Sequence, residues 1–180
     1  MKTAFLIVLA LATGLFLSAQ QPPAPQPQDP SKAQAPYLTN PTIPPFHLLG
    51  IDSATYLTKD DLKKNRRTMI MFFSPDCEHC KHQTEAILDS LDQLGNIQIV
   101  MATYQPFGEM KDFNTHYRLF EHPNFKIGRD EKFFLVPFYR IHNLPYMALY
   151  DKKGNLITTF EGTHSIATLK NAFQQGGHQE

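Results

Sequence analysis

Residues 68–83 read TMIMFFSPDCEHCKHQ, an unbroken apolar run of strand length that stops at Pro75–Asp76 and is followed at once by two cysteines. A strand without polar alternation is covered on both faces, as in a sheet lying between two helical layers. Helical periodicity begins immediately afterwards: Ile87, Leu91 and Leu94 fall at i, i+4 and i+7 over residues 78–94, and Gly95 stands where a C-terminal cap belongs. A doubly covered strand turning directly into a helix predicts a layered α/β domain.

The remaining segments agree. FHLLGIDSATYLTKDDL, with two short alternating pieces around Gly50 and Asp52, predicts a hairpin at the entrance of the domain. IQIVMATY predicts a second strand, and residues 109–120 a helix with Met110, Phe113, Tyr117 and Phe120 on one stripe. Residues 121–141 read as loop plus a short helix. YMALYD, KKGN and LITTF predict a strand, turn and strand, after which Ser165 caps a last helix ending near Gly176. The order β, α, β, α, β, β, α describes a three-layer sandwich with a central mixed sheet, helices on both faces and an extra N-terminal hairpin.

Ahead of the domain, residues 1–19 carry Lys2, an apolar run from Ala4 to Leu17, and then Ser18 and Ala19. The run is shorter than the ~20 residues a spanning helix needs, so it is expected to be a cleaved signal peptide. No cysteine follows it for lipid attachment, and the expected destination is the periplasm or the exterior. Residues 20–44 are Pro-rich with few bulky apolar side chains and are expected to form an extended tether, with the folded domain over 45–180. Basic and acidic residues balance at 17 each, so no net charge argues for nucleic acid or an anionic membrane.

Cys77 and Cys80 are the only cysteines, and export would place them where a disulfide persists. A crosslink spanning two residues closes too short a loop to stabilise much. At a helix N-terminus the unpaired N–H groups and the dipole favour a thiolate, which points to Cys77 as nucleophile and to Cys80, one turn on, as resolving thiol. His79, when protonated, favours the Cys77 thiolate, whereas Asp76 and Glu78 oppose it. A single charge at a wet site is worth ~1 kcal/mol, so the expected potential is intermediate.

The chain resembles the thioredoxin superfamily, in particular its exported TlpA/ResA-type thiol-disulfide oxidoreductases, over about residues 44–175. The resemblance is carried by PPFHL, YLTKDDLKKNRRTMIMFF, SPDCEHCK and IHNLPYMALYDKKGNLI. It implies disulfide exchange with protein thiols or disulfides and with a redox partner and no diffusible cofactor; the expected protein holds no metal and is a monomer. It also implies that Pro145 is a cis-proline beside the dithiol, with Leu144 offering main-chain groups to an extended peptide. The chain departs from the family pattern in three places. Asp76 stands where an aromatic residue is common, Met71 where thioredoxin has a buried aspartate, and Gln83 where TlpA/ResA proteins often have a glutamate. Glu85 and Glu109 are left as candidate proton acceptors for Cys80.

Two other functions fit the same residues. The domain is alternatively a non-catalytic binding module, or a copper- or zinc-binding chaperone using Cys77 and Cys80, although thioredoxin-fold copper chaperones space their cysteines by three residues. His82, His116, His142 and His164 read as surface residues. A peroxiredoxin is disfavoured because FFSPDC lacks the threonine of the P-x-x-x-T-x-x-C pattern. Phe133, Phe134, Phe138 and Tyr139 read as core, with a substrate groove near Pro145 as the alternative.

Overall fold

The computed structural model describes residues 34–176. The expected signal peptide, residues 1–19, and the first part of the expected tether lie outside the described residues. The elements in chain order are α1 (Pro36–Thr39), β1 (His47–Gly50), β2 (Tyr56–Thr58), β3 (Arg67–Phe72), α2 (Glu78–Asp89), α3 (Leu91–Leu94), β4 (Ile97–Thr103), α4 (Phe107–His116), β5 (Phe125–Arg129), α5 (Leu135–Tyr139), β6 (Tyr146–Tyr150), β7 (Leu156–Glu161) and α6 (Ile166–Gly176). The seven strands form one sheet in the order β2-β1-β5-β4-β3-β6-β7. Strands β3, β4 and β5 run parallel, and the strands added at either side run antiparallel to their neighbours.

Alternation along the strands divides the core into two layers. Met69, Met71, Phe73, Ile99, Met101, Met147 and Leu149 face α2, α4 and α6, where they meet Ile87, Met110, Phe113, Leu169 and Phe173. Ile70, Phe72, Val100, Ala102, Tyr146, Ala148 and Tyr150 face the other way, toward Leu48, Leu135 and Tyr139. The central strands are therefore buried on both faces, which is why they read as apolar runs and why the fold is a three-layer α/β sandwich.

The structure departs from the expected elements in four places. Residues 125–129, expected to be loop, form strand β5, which joins the β1–β2 hairpin to the main sheet. FKIGR is short, carries a glycine and two cations, and resembles no strand pattern. Gly128 is nevertheless required, because a Cβ there would stand 2.7 Å from Leu48 Cβ on the neighbouring strand. The helix expected over 78–94 is interrupted at Ser90, whose φ of −130° and ψ of 24° leave the helical region. The helix expected over 109–120 runs instead from Phe107 to His116, and Arg118 turns left-handed at φ 51°, which leaves Phe120 exposed.

The fourth departure is the domain boundary. The expected tether reached residue 44, yet residues 34–44 pack on the domain. Tyr37 rings against Tyr139 at 5.7 Å, Ile43 N–H donates to the Gly154 carbonyl, and Leu156 N–H donates to the Pro41 carbonyl. Tyr37 and Ile43 pack on the second core layer and Ala35 is buried, which supplies the apolar surface that holds this stretch on the domain.

Candidate functional site

β3 delivers the chain to the site. Its ladder ends at Phe72; Phe73 N–H still donates to the Ala102 carbonyl, and the tight turn Ser74–Pro75–Asp76 follows, closed by Cys77 N–H to the Ser74 carbonyl at 3.1 Å. Ser74 Oγ accepts from Gln105 Nε2 at 3.3 Å, tying this turn to the end of β4. Cys77 occupies the N-cap of α2 with extended backbone (φ −79°, ψ 113°), and its Sγ accepts the Cys80 N–H at 3.3 Å. An N-cap sulfur that accepts a helical N–H occupies the position where an oxygen cap normally satisfies that donor, and the same arrangement stabilises negative charge on sulfur.

The two cysteines differ in environment. Both are free thiols, Cys77 half-buried and Cys80 fully buried. Burial among apolar side chains pushes the Cys80 pKa well above its ordinary value. The hydrogen bond to the Cys77 sulfur acts in the same direction, and a backbone hydrogen bond at Ser74 acts against both.

The residues between and beside the cysteines are exposed. Glu78 Oε1 receives Lys81 Nζ at 2.7 Å, which holds its carboxyl below the usual range and raises the lysine. The Glu78 charge is thus shared with Lys81 before it reaches the sulfur. The His79 ring is exposed, and its backbone carbonyl meets Thr163 Oγ1 at 3.5 Å. Asp76 opens onto a groove of about 390 Å³ between the first turns of α2 and α4, also lined by Glu109, Asp112, Phe113 and Tyr117.

Pro145 is buried and the Leu144–Pro145 peptide is cis. Residues Phe72 and Tyr146 pair in the β3–β6 ladder, so continuing that antiparallel register sets Pro145 level with Phe73 and Leu144 level with Ser74. Leu144 touches both core layers at this edge. The structure therefore brings Asp76, Cys77, Glu78, His79, Cys80, Leu144 and Pro145 to one end of the sheet.

It does not bring the candidate proton acceptors to Cys80. Glu85 is exposed and receives Tyr117 O–H at 3.3 Å, and Glu109 lines the groove on α4, while Cys80 faces the core. Tyr117 is pushed up to about 12 by burial and by the Glu85 charge. Gln83 lies on the buried face of α2 with Cys80; its Oε1 accepts His164 N–H at 2.7 Å and its Nε2 has no partner among the described residues. Sequence reasoning missed Ser74, Gln105, Glu161 and His164. Ser74 lies within SPDCEHCK but carries no motif signal of its own, and the contacts of Gln105, Glu161 and His164 depend on long-range pairing.

A strand, a tight turn, a dithiol at a helix N-terminus and a facing cis-proline define a class of dithiol protein built on one layered fold. The chain belongs to the thioredoxin-like family: the model of the thioredoxin-like domain matches residues 58–177. No curated protein matches the chain. Among solved structures it is similar to a secreted Mycobacterium tuberculosis disulfide oxidoreductase homologous to Escherichia coli DsbE. That match has 17% identity and a TM-score of 0.59, and covers 73% of this chain and 96% of that one. It is similar to StoA from Bacillus subtilis with 22% identity and a TM-score of 0.56, covering 73% and 98%. Copper-bound ScoI from Arabidopsis thaliana matches with 15% identity and a TM-score of 0.60, covering 76% and 98%. At these identities the neighbours establish the fold.

Proposed function

We propose that the protein is an exported thiol-disulfide oxidoreductase of the TlpA/ResA type, exchanging a Cys77–Cys80 disulfide with partner proteins. The observation that carries this reading is the division between the two thiols: a half-exposed Cys77 sulfur at the N-cap of α2, and a fully buried Cys80 one turn behind it.

In the reductive direction the Cys77 thiolate attacks a partner disulfide. A Cys77–partner S–S bond forms, and the partner's second sulfur leaves as a thiolate and takes a proton. Cys80 then attacks Cys77 Sγ, and the proton it gives up is the one that ends on the partner's leaving sulfur. The Cys77–Cys80 bond forms, the mixed bond breaks, and the partner's remaining sulfur leaves and is protonated. Two electrons have passed from the pair to the partner, and the reverse sequence oxidises a partner dithiol. Burial that keeps Cys80 protonated favours Cys77 as the sulfur that makes the first attack. Asp76, Glu78 and His79 tune the Cys77 thiolate, and Leu144 and Pro145 form the near wall of the peptide site.

Export is supported by the apolar leader and by the likeness to a secreted mycobacterial disulfide oxidoreductase. Turnover of a disulfide substrate with dithiothreitol as electron source is expected in the wild type and absent in Cys77→Ser. Equal turnover in both would refute the reading. Titration against glutathione assigns the direction: a midpoint near about −270 mV marks a reductase, and one above about −150 mV an oxidase.

The second reading is metal binding, favoured by the likeness to copper-bound ScoI. Cys77 and Cys80 are soft donors that fit a cuprous ion, but no third His, Cys, Asp or Glu groups with them among the described residues. Stoichiometric copper in the reduced protein, with no disulfide turnover, would replace the first reading by this one.

A further inference from the structure

Strand β7 ends at Glu161, and the residues that follow turn into α6. This short connection reaches both halves of the candidate site. Toward the dithiol helix, His164 N–H donates to the buried Gln83 Oε1 at 2.7 Å, and Thr163 Oγ1 stands 3.5 Å from the His79 carbonyl. Toward the opposite wall, Glu161 Oε1 accepts His142 N–H at 3.2 Å and Glu161 Oε2 accepts Asn143 Nδ2 at 2.8 Å. Gly162 N–H donates to the Pro145 carbonyl at 2.8 Å.

The residues held are 142, 143 and 145. Leu144 stands between them, and its main-chain N–H and C=O have no hydrogen-bond partner among the described residues. The Leu144 side chain and Pro145 pack on the core, but His142 and Asn143 ahead of them are exposed, and it is the Glu161 carboxylate that holds those two through two charge-assisted bonds.

We propose that Glu161 is a positioning residue: with the turn that follows it, it fixes the Leu144 main chain relative to Cys77 and thereby sets affinity for an extended peptide. The proposal rests on the oxidoreductase reading above. An extended peptide gains main-chain hydrogen bonds only where a donor and an acceptor are already placed, and ordering a loose loop at the moment of binding lowers affinity. A small disulfide reaches the Cys77 sulfur without Leu144. Glu161 should therefore act on peptide KM while leaving the sulfur chemistry alone.

The test compares a disulfide-looped, otherwise unstructured peptide with 2-hydroxyethyl disulfide, using dithiothreitol as electron source. Glu161→Ala is expected to raise the peptide KM about 5- to 10-fold. Its kcat, its rate with 2-hydroxyethyl disulfide and its midpoint potential should stay within about twofold or unchanged. Glu161→Gln, which keeps one oxygen acceptor, should lose less. Asn143→Ala, which removes one exposed arm of the clamp, should show a smaller KM effect and decides the matter if Glu161→Ala does not fold. An unchanged peptide KM, or an equal loss on both substrates, overturns the proposal. A wild-type protein that turns over neither substrate refutes the oxidoreductase reading instead.

Discussion

The two faces of the sheet are made by alternate residues of the same strands, yet their chemistry differs. One face is a wall of Met69, Met71, Phe73, Met101 and Met147, against which Cys80 lies. The other carries Tyr146 and Tyr150, facing Tyr139 of α5, with the Tyr139 and Tyr150 hydroxyls 2.5 Å apart. The difference separates two tasks. On the proposed function, the thiol that would resolve a mixed disulfide is held protonated against sulfur and hydrocarbon, and these phenolic groups are kept on the far side, where α5 and residues 34–44 cover them.

Packing gives the largest expected effect that tests this division. Met71→Ala opens a cavity beside the dithiol layer and should cost about 2–5 kcal/mol in urea unfolding. Tyr150→Phe on the far face strands the Tyr139 hydroxyl and should cost less, about 1–3 kcal/mol, without changing the reduction potential. A potential that moves with Tyr150→Phe would mean that the two faces are coupled.

Alkaline pH separates the faces by window. The Cys80 pKa is raised in the folded state above an ordinary value of 9.0, so the stability this confers is fully present below about pH 9. Above that the unfolded chain gives up its proton first, and stability falls toward the folded pKa, at no more than ~1.4 kcal/mol per pH unit. Tyr139 and Tyr150 are raised mainly by burial from 10.0, so their share is lost only from about pH 10 upward. Urea midpoints at pH 8, 9 and 10 should therefore drop earlier for the reduced wild type than for Cys80→Ala or for the oxidised protein. The smallest expected effect is that of Tyr146→Phe. Its buried hydroxyl has Thr159 nearby but makes no hydrogen bond of ordinary length among the described residues, and removing it should leave stability within about 0.5 kcal/mol or raise it.

How far each feature was legible in the sequence follows from how local its cause is. The strand before Cys77, the dithiol at a helix start and the Ser165 cap are local patterns, and Ser165 Oγ does accept Thr168 N–H at 3.1 Å. Strand β5 was illegible because its partners on β1 are 78 and 80 residues away and those on β4 are 26 away, and because Gly128 looks like a loop residue unless Leu48 is known to stand over it. Residues 34–44 read as tether because proline content outweighs three apolar side chains until Tyr139 offers them a surface. At the site, Cys77, Cys80 and Pro145 were visible through their spacing and the family resemblance. Glu161 was not, because a glutamate at a strand end gives no sign of the loop it will hold.

The measurement that bears most directly on the central claim is trapping of the mixed disulfide. Reduced Cys80→Ala and Cys77→Ser proteins are each mixed with the disulfide-looped peptide and analysed intact by mass spectrometry. The division between a half-exposed attacking sulfur and a buried resolving one predicts a stable peptide adduct on Cys77 in Cys80→Ala and none in Cys77→Ser. Adducts of equal yield on the two variants, or an adduct on Cys80 alone, would contradict it.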